Sequence, residues 1–249
     1  MFYFLLAPIL TYNWILIVAA VVPAVFLMVK VYRSDRLEKE SPEMIGRLVI
    51  AGILSTLLAM VEERIGSSVL AMFFSEATTA YNVLLYFVVV GLAEESSKYL
   101  LMKRRTWSSQ EFNCQYDGVV YAVFVSLGFA LWENISYVLH YGFSTALVRA
   151  VTAIPGHACF GVFMGVFYGL ARSYAFLGDQ EKSRLFRVLA VLVPMLLHGA
   201  YDYIASSRDS GTLTFILFIA VLFTLAFSLV SRMSKNDRYF RMDRRNFHF

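Results

Sequence analysis

Long apolar runs separated by short, cation-rich polar segments set the pattern of this chain. A helix crossing the hydrocarbon core of a bilayer needs about 20 predominantly apolar residues. Seven stretches come near that length: roughly 3–30, 44–63, 81–102, 117–141, 145–171, 187–205 and 212–231. Inside a bilayer no water is present to satisfy open backbone groups, so such runs must be helical. The pattern predicts an all-α, polytopic membrane protein of about seven transmembrane helices. It leaves no room for a large soluble domain, and residues 1–249 read as a single integral-membrane domain. The first run has no cation before Lys30, so it lacks the basic leader of a cleavable signal and is expected to be a retained span.

Composition agrees with this. The 249 residues are 59% hydrophobic and 16% charged, against about 25% charged in soluble domains. The net charge of +4 does not indicate a nucleic-acid partner, because the cations gather in short segments beside the spans. Lys30, Arg33, Arg36, Lys39 and Arg47 follow the first span, and Lys103, Arg104 and Arg105 follow the third. Arg172, Lys182, Arg184 and Arg187 lie between the fifth and sixth, and Arg232, Lys235, Arg238, Arg241, Arg244 and Arg245 follow the last. Only Arg64, Arg149 and Arg208 fall in the opposite connections. This asymmetry places the amino terminus outside and the carboxyl terminus in the cytoplasm of a multi-pass cell-membrane protein.

Three further segments carry expectations. The outer stretch Glu62–Thr79 reads as a packed connecting loop or as an amphipathic helix lying on the membrane. The Arg-rich tail, with Tyr239, Phe240, Phe247 and Phe249, reads as an anchor to anionic lipid. Cys114 and Cys159 suggest neither a disulfide framework nor a thiolate metal site.

The informative residues are polar groups within the spans. A charged side chain at the bilayer centre costs about 2.5–3.5 kcal/mol even on the lenient insertion scale, so such groups must face an inner, wet cavity. Glu94, Glu95 and Lys98 share the third span, where the acid-first spacing of four favours a Glu94–Lys98 pair and Glu95 competes at three. One glutamate is then neutralised, and the other is left to act as a general base. In the fourth span Glu133 has no cation within helical reach, its neighbour Asn134 suits an interhelical hydrogen bond, and Asp117 suits a helix cap. The fifth span holds Pro155-Gly156-His157 at the head of a glycine seam, Gly161, Gly165 and Gly169, that lets a neighbouring helix come close. In the sixth, His198 and Asp202 lie four apart on one face. Carboxylates with imidazoles activate water or hold a metal.

Counting 1.5 Å per residue from each cytoplasmic end puts Glu94 at about 13 Å, His198 at about 16 Å, and His157, Asp202 and Glu133 at about 22–24 Å. Tilted or broken helices are needed to bring these levels together.

Four elements, EExxK at Glu94–Lys98, FAxxEN at Phe129–Asn134, PGHxxxG at Pro155–Gly161 and HGxYD at His198–Asp202, together with the Asp117-Gly118 opening, resemble the PrsW family of intramembrane proteases. The resemblance covers about residues 90–205, and with it a catalytic core at about 81–205. It implies cleavage of a membrane-anchored protein, an anti-sigma factor in known family members, and gives the leading roles to Glu94, Glu95 and His157. It also implies a prokaryotic plasma membrane. The family is classed as metalloprotease, while related proteins are described with a metal-free glutamate mechanism.

Two mechanisms therefore stay open. In one, His157, His198 and a carboxylate (Glu133 or Asp202) hold zinc while Glu94 or Glu95 takes a proton from water. In the other, a glutamate and a histidine activate water directly, and His198 and Asn134 stabilise the oxyanion, with Lys98 in support. Two rival classes use similar residues: a proton-coupled transporter, and a pseudoprotease that binds membrane segments without cutting them. The sequence does not indicate an oligomeric state.

Overall fold

The computed structural model describes residues 2–207 and 211–240, with side chains from Trp14 onward. Arg208 and the tail residues Arg241, Arg244, Arg245, Phe247 and Phe249 lie outside the described residues. The elements run α1 (Phe2–Ser34), α2 (Pro42–Phe73), α3 (Thr79–Leu84), a π-helical segment (Leu85–Gly91), α4 (Leu92–Thr106), α5 (Asp117–Tyr141), α6 (Phe143–Val151), α7 (Ala153–Phe176), α8 (Gln180–Ser206) and α9 (Thr212–Lys235). Among the described residues, six helical stretches are long and apolar enough to cross a membrane: α1, α2, α5, α6 with α7, α8 and α9. The expected third span corresponds to the helical stretch formed by α3, the π segment and α4.

Local chemistry sets several boundaries. Ser41 caps α2 by accepting the Met44 N–H at 3.1 Å, and Pro42 follows at a position whose N–H is not needed. Asp179 caps α8 through the Lys182 N–H at 3.0 Å. Asp117, expected as a cap, instead accepts the N–H groups of Asn113 and Cys114 at 3.0 and 2.7 Å, so it ties down the loop ahead of α5. The segment 62–79 is neither surface helix nor loop for most of its length: α2 runs unbroken to Phe73, and the connection narrows to 74–78. The expected fifth span divides at Thr152, because Pro155 in the first turn of α7 has no N–H with which to continue the preceding helix.

Helix α5 is the centre of the bundle, with nearly every side chain from Asp117 to Ala130 buried. It packs most extensively on α7, then on α2 and α1. The α5–α7 contact follows the glycine seam: a Cβ on Gly165 would stand 2.4 Å from Val119 Cα, and one on Gly118 would stand 2.7 Å from the Gly165 carbonyl oxygen. Only hydrogen fits there, so the two backbones touch. Helix α9 is peripheral, with most of its apolar side chains outward.

The start of the tail docks on protein rather than standing free. Asp237 accepts the Tyr116 N–H at 2.9 Å, and the Phe240 ring packs on Phe112 and Phe176.

Candidate active site

The site begins with the π segment. Such wide turns carry an extra residue and recur at functional sites. This one lies directly on α8, where a Cβ on Gly199 would sit 2.8 Å from Phe87 Cα. The close approach sets the first turn of α4, with Glu94 and Glu95, against His198 on α8.

At the centre lies the Lys98 ammonium, fully buried with Glu95. Its Nζ donates to Glu94 Oε2 at 3.0 Å, to Glu95 Oε1 at 2.8 Å, and to His157 Nδ1 at 3.3 Å. The Phe129 ring closes a further side, its centroid 3.9 Å from Nζ. The sequence spacing suggested that one glutamate would pair and the other point elsewhere. The structure pairs both, because positions three and four before a lysine both face its flexible stem.

Each imidazole presents Nδ1 to this centre and Nε2 to an outer carboxylate. His157 Nε2–H donates to Glu133 Oε2 at 2.9 Å, which leaves Nδ1 as the acceptor facing Lys98. His198 has Nδ1 3.0 Å from Glu95 Oε1 and Nε2 3.4 Å from Asp202 Oδ2. Glu133 and Asp202, expected as direct ligands beside the histidines, thus sit behind them and orient the rings. A half-buried carboxylate on the outer nitrogen fixes both tautomer and ring angle.

Asn134 is occupied elsewhere. Its Nδ2 donates to the Ala20 carbonyl at 3.1 Å, and its Oδ1 accepts from Arg149 Nε at 2.9 Å. It joins α5 to α1 and α6 as an interhelical strut, and it does not line the cavity that receives the histidines.

Sequence reasoning missed two residues that belong here. Arg149 on α6 places Nη2 3.0 Å from Glu133 Oε2 and stacks over Tyr137 at 4.1 Å, giving Glu133 the cation that its own helix lacks. Glu63 on α2 faces the same cavity. Its signal was helical phase, since it continues the buried face of Thr56 and Ala59 by seven and four residues. A cavity of about 530 Å³ receives Glu63, Glu94, Glu133, Arg149, His157, His198 and Asp202, walled by Phe129, Trp132, Phe160 and Tyr201. Counting instead from the observed ends of α7 and α8, Phe176 and Gln180, does not bring the depths together, so the helices end at different levels. Unequal protrusions give no common ruler.

The chain matches the model of the PrsW family intramembrane metalloprotease over residues 40–230. It is 31% identical to Protease PrsW of Oceanobacillus iheyensis over 88% of this chain and 95% of that one. Protease PrsW of Geobacillus kaustophilus is 32% identical over 87% and 91% of the two chains, and that of Bacillus subtilis 30% over 83% and 90%. The chain belongs to the PrsW family. No solved structure matches it. As a PrsW-family protein it is a multi-pass membrane hydrolase of peptide bonds, acting on a membrane protein.

A metalloprotease family implies a metal, and the PrsW residues can be tested for fit. One donor atom from each of Glu94, Glu95, His157 and His198 lies within 4.8 Å of the others. Glu95 Oε2 is buried with no hydrogen-bond partner. Oxygen and imidazole donors, each ring backed by a carboxylate, suit a divalent ion of zinc type. The residues therefore fit a small cation, and the Lys98 ammonium draws on the same donors.

Proposed function

We propose that this cavity hydrolyses a peptide bond of a single-pass membrane protein, with Glu94 as the general base. The observation that carries the reading is the convergence of Glu94, His157 and His198 on one enclosed wall of the cavity, while Glu95 is fully buried behind them. Glu94 takes the proton from the attacking water, and His198, on the same wall, is within reach to pass a proton to the leaving amine. Glu133 and Asp202 hold the two imidazoles in register. Arg149 holds Glu133 and adds a fixed positive charge beside the developing oxyanion. If zinc is bound, His157, His198 and Glu95 would hold it, leaving the fourth position for a water whose pKa falls to about 7 and leaving Glu94 to take its proton. A metal-free, glutamate-driven reading is supported by Lys98, whose ammonium already bridges the same carboxylates.

The family resemblance points to a membrane-anchored anti-sigma factor as the substrate. A helical substrate satisfies its own backbone, so the cut is expected at a helix end or a Gly- or Pro-containing stretch, where the strand is open.

The test is cleavage of a reconstituted single-pass substrate by the parent, Glu94→Gln and Glu95→Gln proteins. Loss of about 10²–10⁴-fold in rate for Glu94→Gln is expected for a missing general base. Full activity in that variant would overturn the assignment. Elemental analysis of the purified active protein, before and after chelation, separates the two mechanisms: full activity with no bound metal removes zinc.

A further inference from the structure

A second cavity, of about 460 Å³, lies between α1, α7 and α9. Its walls are apolar and include Leu27, Cys159, Val162, Phe223, Phe227 and Val230. One end is different. Lys30, Arg33 and Arg36 stand on its rim with the hydroxyls of Ser34, Ser231 and Ser234. The three cations are exposed, and among the described residues none has a salt bridge to a carboxylate. Asp35, between them in sequence, is buried and does not line the cleft. Lys30 lies over the Phe227 ring at 4.2 Å, and Ser234 donates to the Ser34 carbonyl, which clasps α1 to α9 beneath the rim.

We propose that this cleft binds one anionic phospholipid of the cytoplasmic leaflet, its phosphate on the Lys30–Arg33–Arg36 rim and an acyl chain between α1, α7 and α9. Basic pockets between membrane helices at the cytoplasmic face are suited to such headgroups. Depth selects the occupant. Along α9 the lining runs from Phe223 to Ser234, about 16 Å at helical rise. That matches one leaflet, about half of the ~30 Å hydrocarbon core. A substrate helix would need a groove of about the full thickness. The inner end reaches Pro155, so the lipid tail abuts the turn of α7 that carries His157.

The experiment is native mass spectrometry of the full chain released from nanodiscs holding equal phosphatidylglycerol and phosphatidylcholine. The parent is expected to retain one phosphatidylglycerol in preference to phosphatidylcholine. The triple variant Lys30→Gln, Arg33→Gln, Arg36→Gln should lose that preference, by on the order of 100-fold if each cation contributes as near an anionic surface. Ala226→Phe, which fills the cleft without touching its charges, should lose the retained lipid altogether. Equal retention of both lipids by the parent, or unchanged retention in either variant, would overturn the proposal. A photocrosslinker at Val230 should likewise capture lipid; capture of a reconstituted substrate segment instead would assign the cleft to substrate.

Discussion

At the residue scale, the decisive fact is that one fully buried ammonium bridges two carboxylates and meets an imidazole. Removing one partner of a buried ionic group leaves the others uncompensated, at a cost of about 3–5 kcal/mol. Lys98→Met should therefore lower the melting temperature of the detergent-solubilised protein sharply, and adding Glu95→Gln should restore part of the loss. An unchanged melt would mean that another cation takes the place of Nζ. Arg149→Gln acts differently. It leaves Glu133 to orient His157 alone, and outer-sphere partners of this kind are worth about 10–100-fold in activity. The expected result is slower cleavage with nearly unchanged melting, measured on the reconstituted substrate. Glu94, Glu95, Glu133, His157, His198 and Asp202 were legible in the sequence because each stands out against apolar neighbours. Glu63 and Arg149 were not, because each lies near an expected span end, where charge is ordinary. What no spacing rule conveys is that a cation from α6 crosses to an acid on α5.

At the scale of elements, two devices aim these groups. The first is the π segment Leu85–Gly91, which offsets α4 from α3. Deleting Val88 should return an ordinary helix and remove the bulge that seats Phe87 against Gly199, loosening Glu94 and Glu95 from His198. Cleavage should disappear while the protein still inserts and melts cooperatively; retained cleavage would mean that the wide turn is incidental. The second is the backbone contact at Gly165 and Val119. Gly165→Leu must push α7 off α5, and overpacking of this kind costs about 1–3 kcal/mol. The measured outcome should be a lower melting temperature together with weaker cleavage, as His157 withdraws from Glu133. The glycine seam could be read directly from its four-residue steps. The π segment could not, since its apolar residues look the same as those of an ordinary membrane helix. The break at Thr152 was half visible: Pro155 and Gly156 announced an irregularity, but a run of apolar residues on both sides concealed that it ends one helix and begins another.

Over the whole molecule, chemistry at mid-membrane is matched by a buried acid at the end that the cation pattern assigns to the cytoplasm. Glu40, between α1 and α2, accepts the Tyr121 hydroxyl at 3.0 Å. Burial first, and then the carboxylates of Asp117, Glu111 and Asp35, push it from 4.5 up to about 9 despite that hydrogen bond. Between those values the folded protein holds a proton that the unfolded chain has released, so stability falls as pH rises across the window. The contribution is complete below 4.5 and lost as pH passes about 9. Glu40→Gln should melt close to the parent at acidic pH and above it at alkaline pH; parallel melting curves for the two proteins would contradict this. The order of groups along the chain also has a consequence for biosynthesis. Glu94, Glu95 and Lys98 occupy little more than one turn of a single helix, whereas His157 and His198 are synthesised later, on α7 and α8. An ion pair within one segment can form as that segment leaves the translocon, which reduces the penalty of about 2.5–3.5 kcal/mol for each bare charge. The nascent rod therefore enters lipid with most of its charge already matched, and it can wait there for the imidazoles that complete the enzyme.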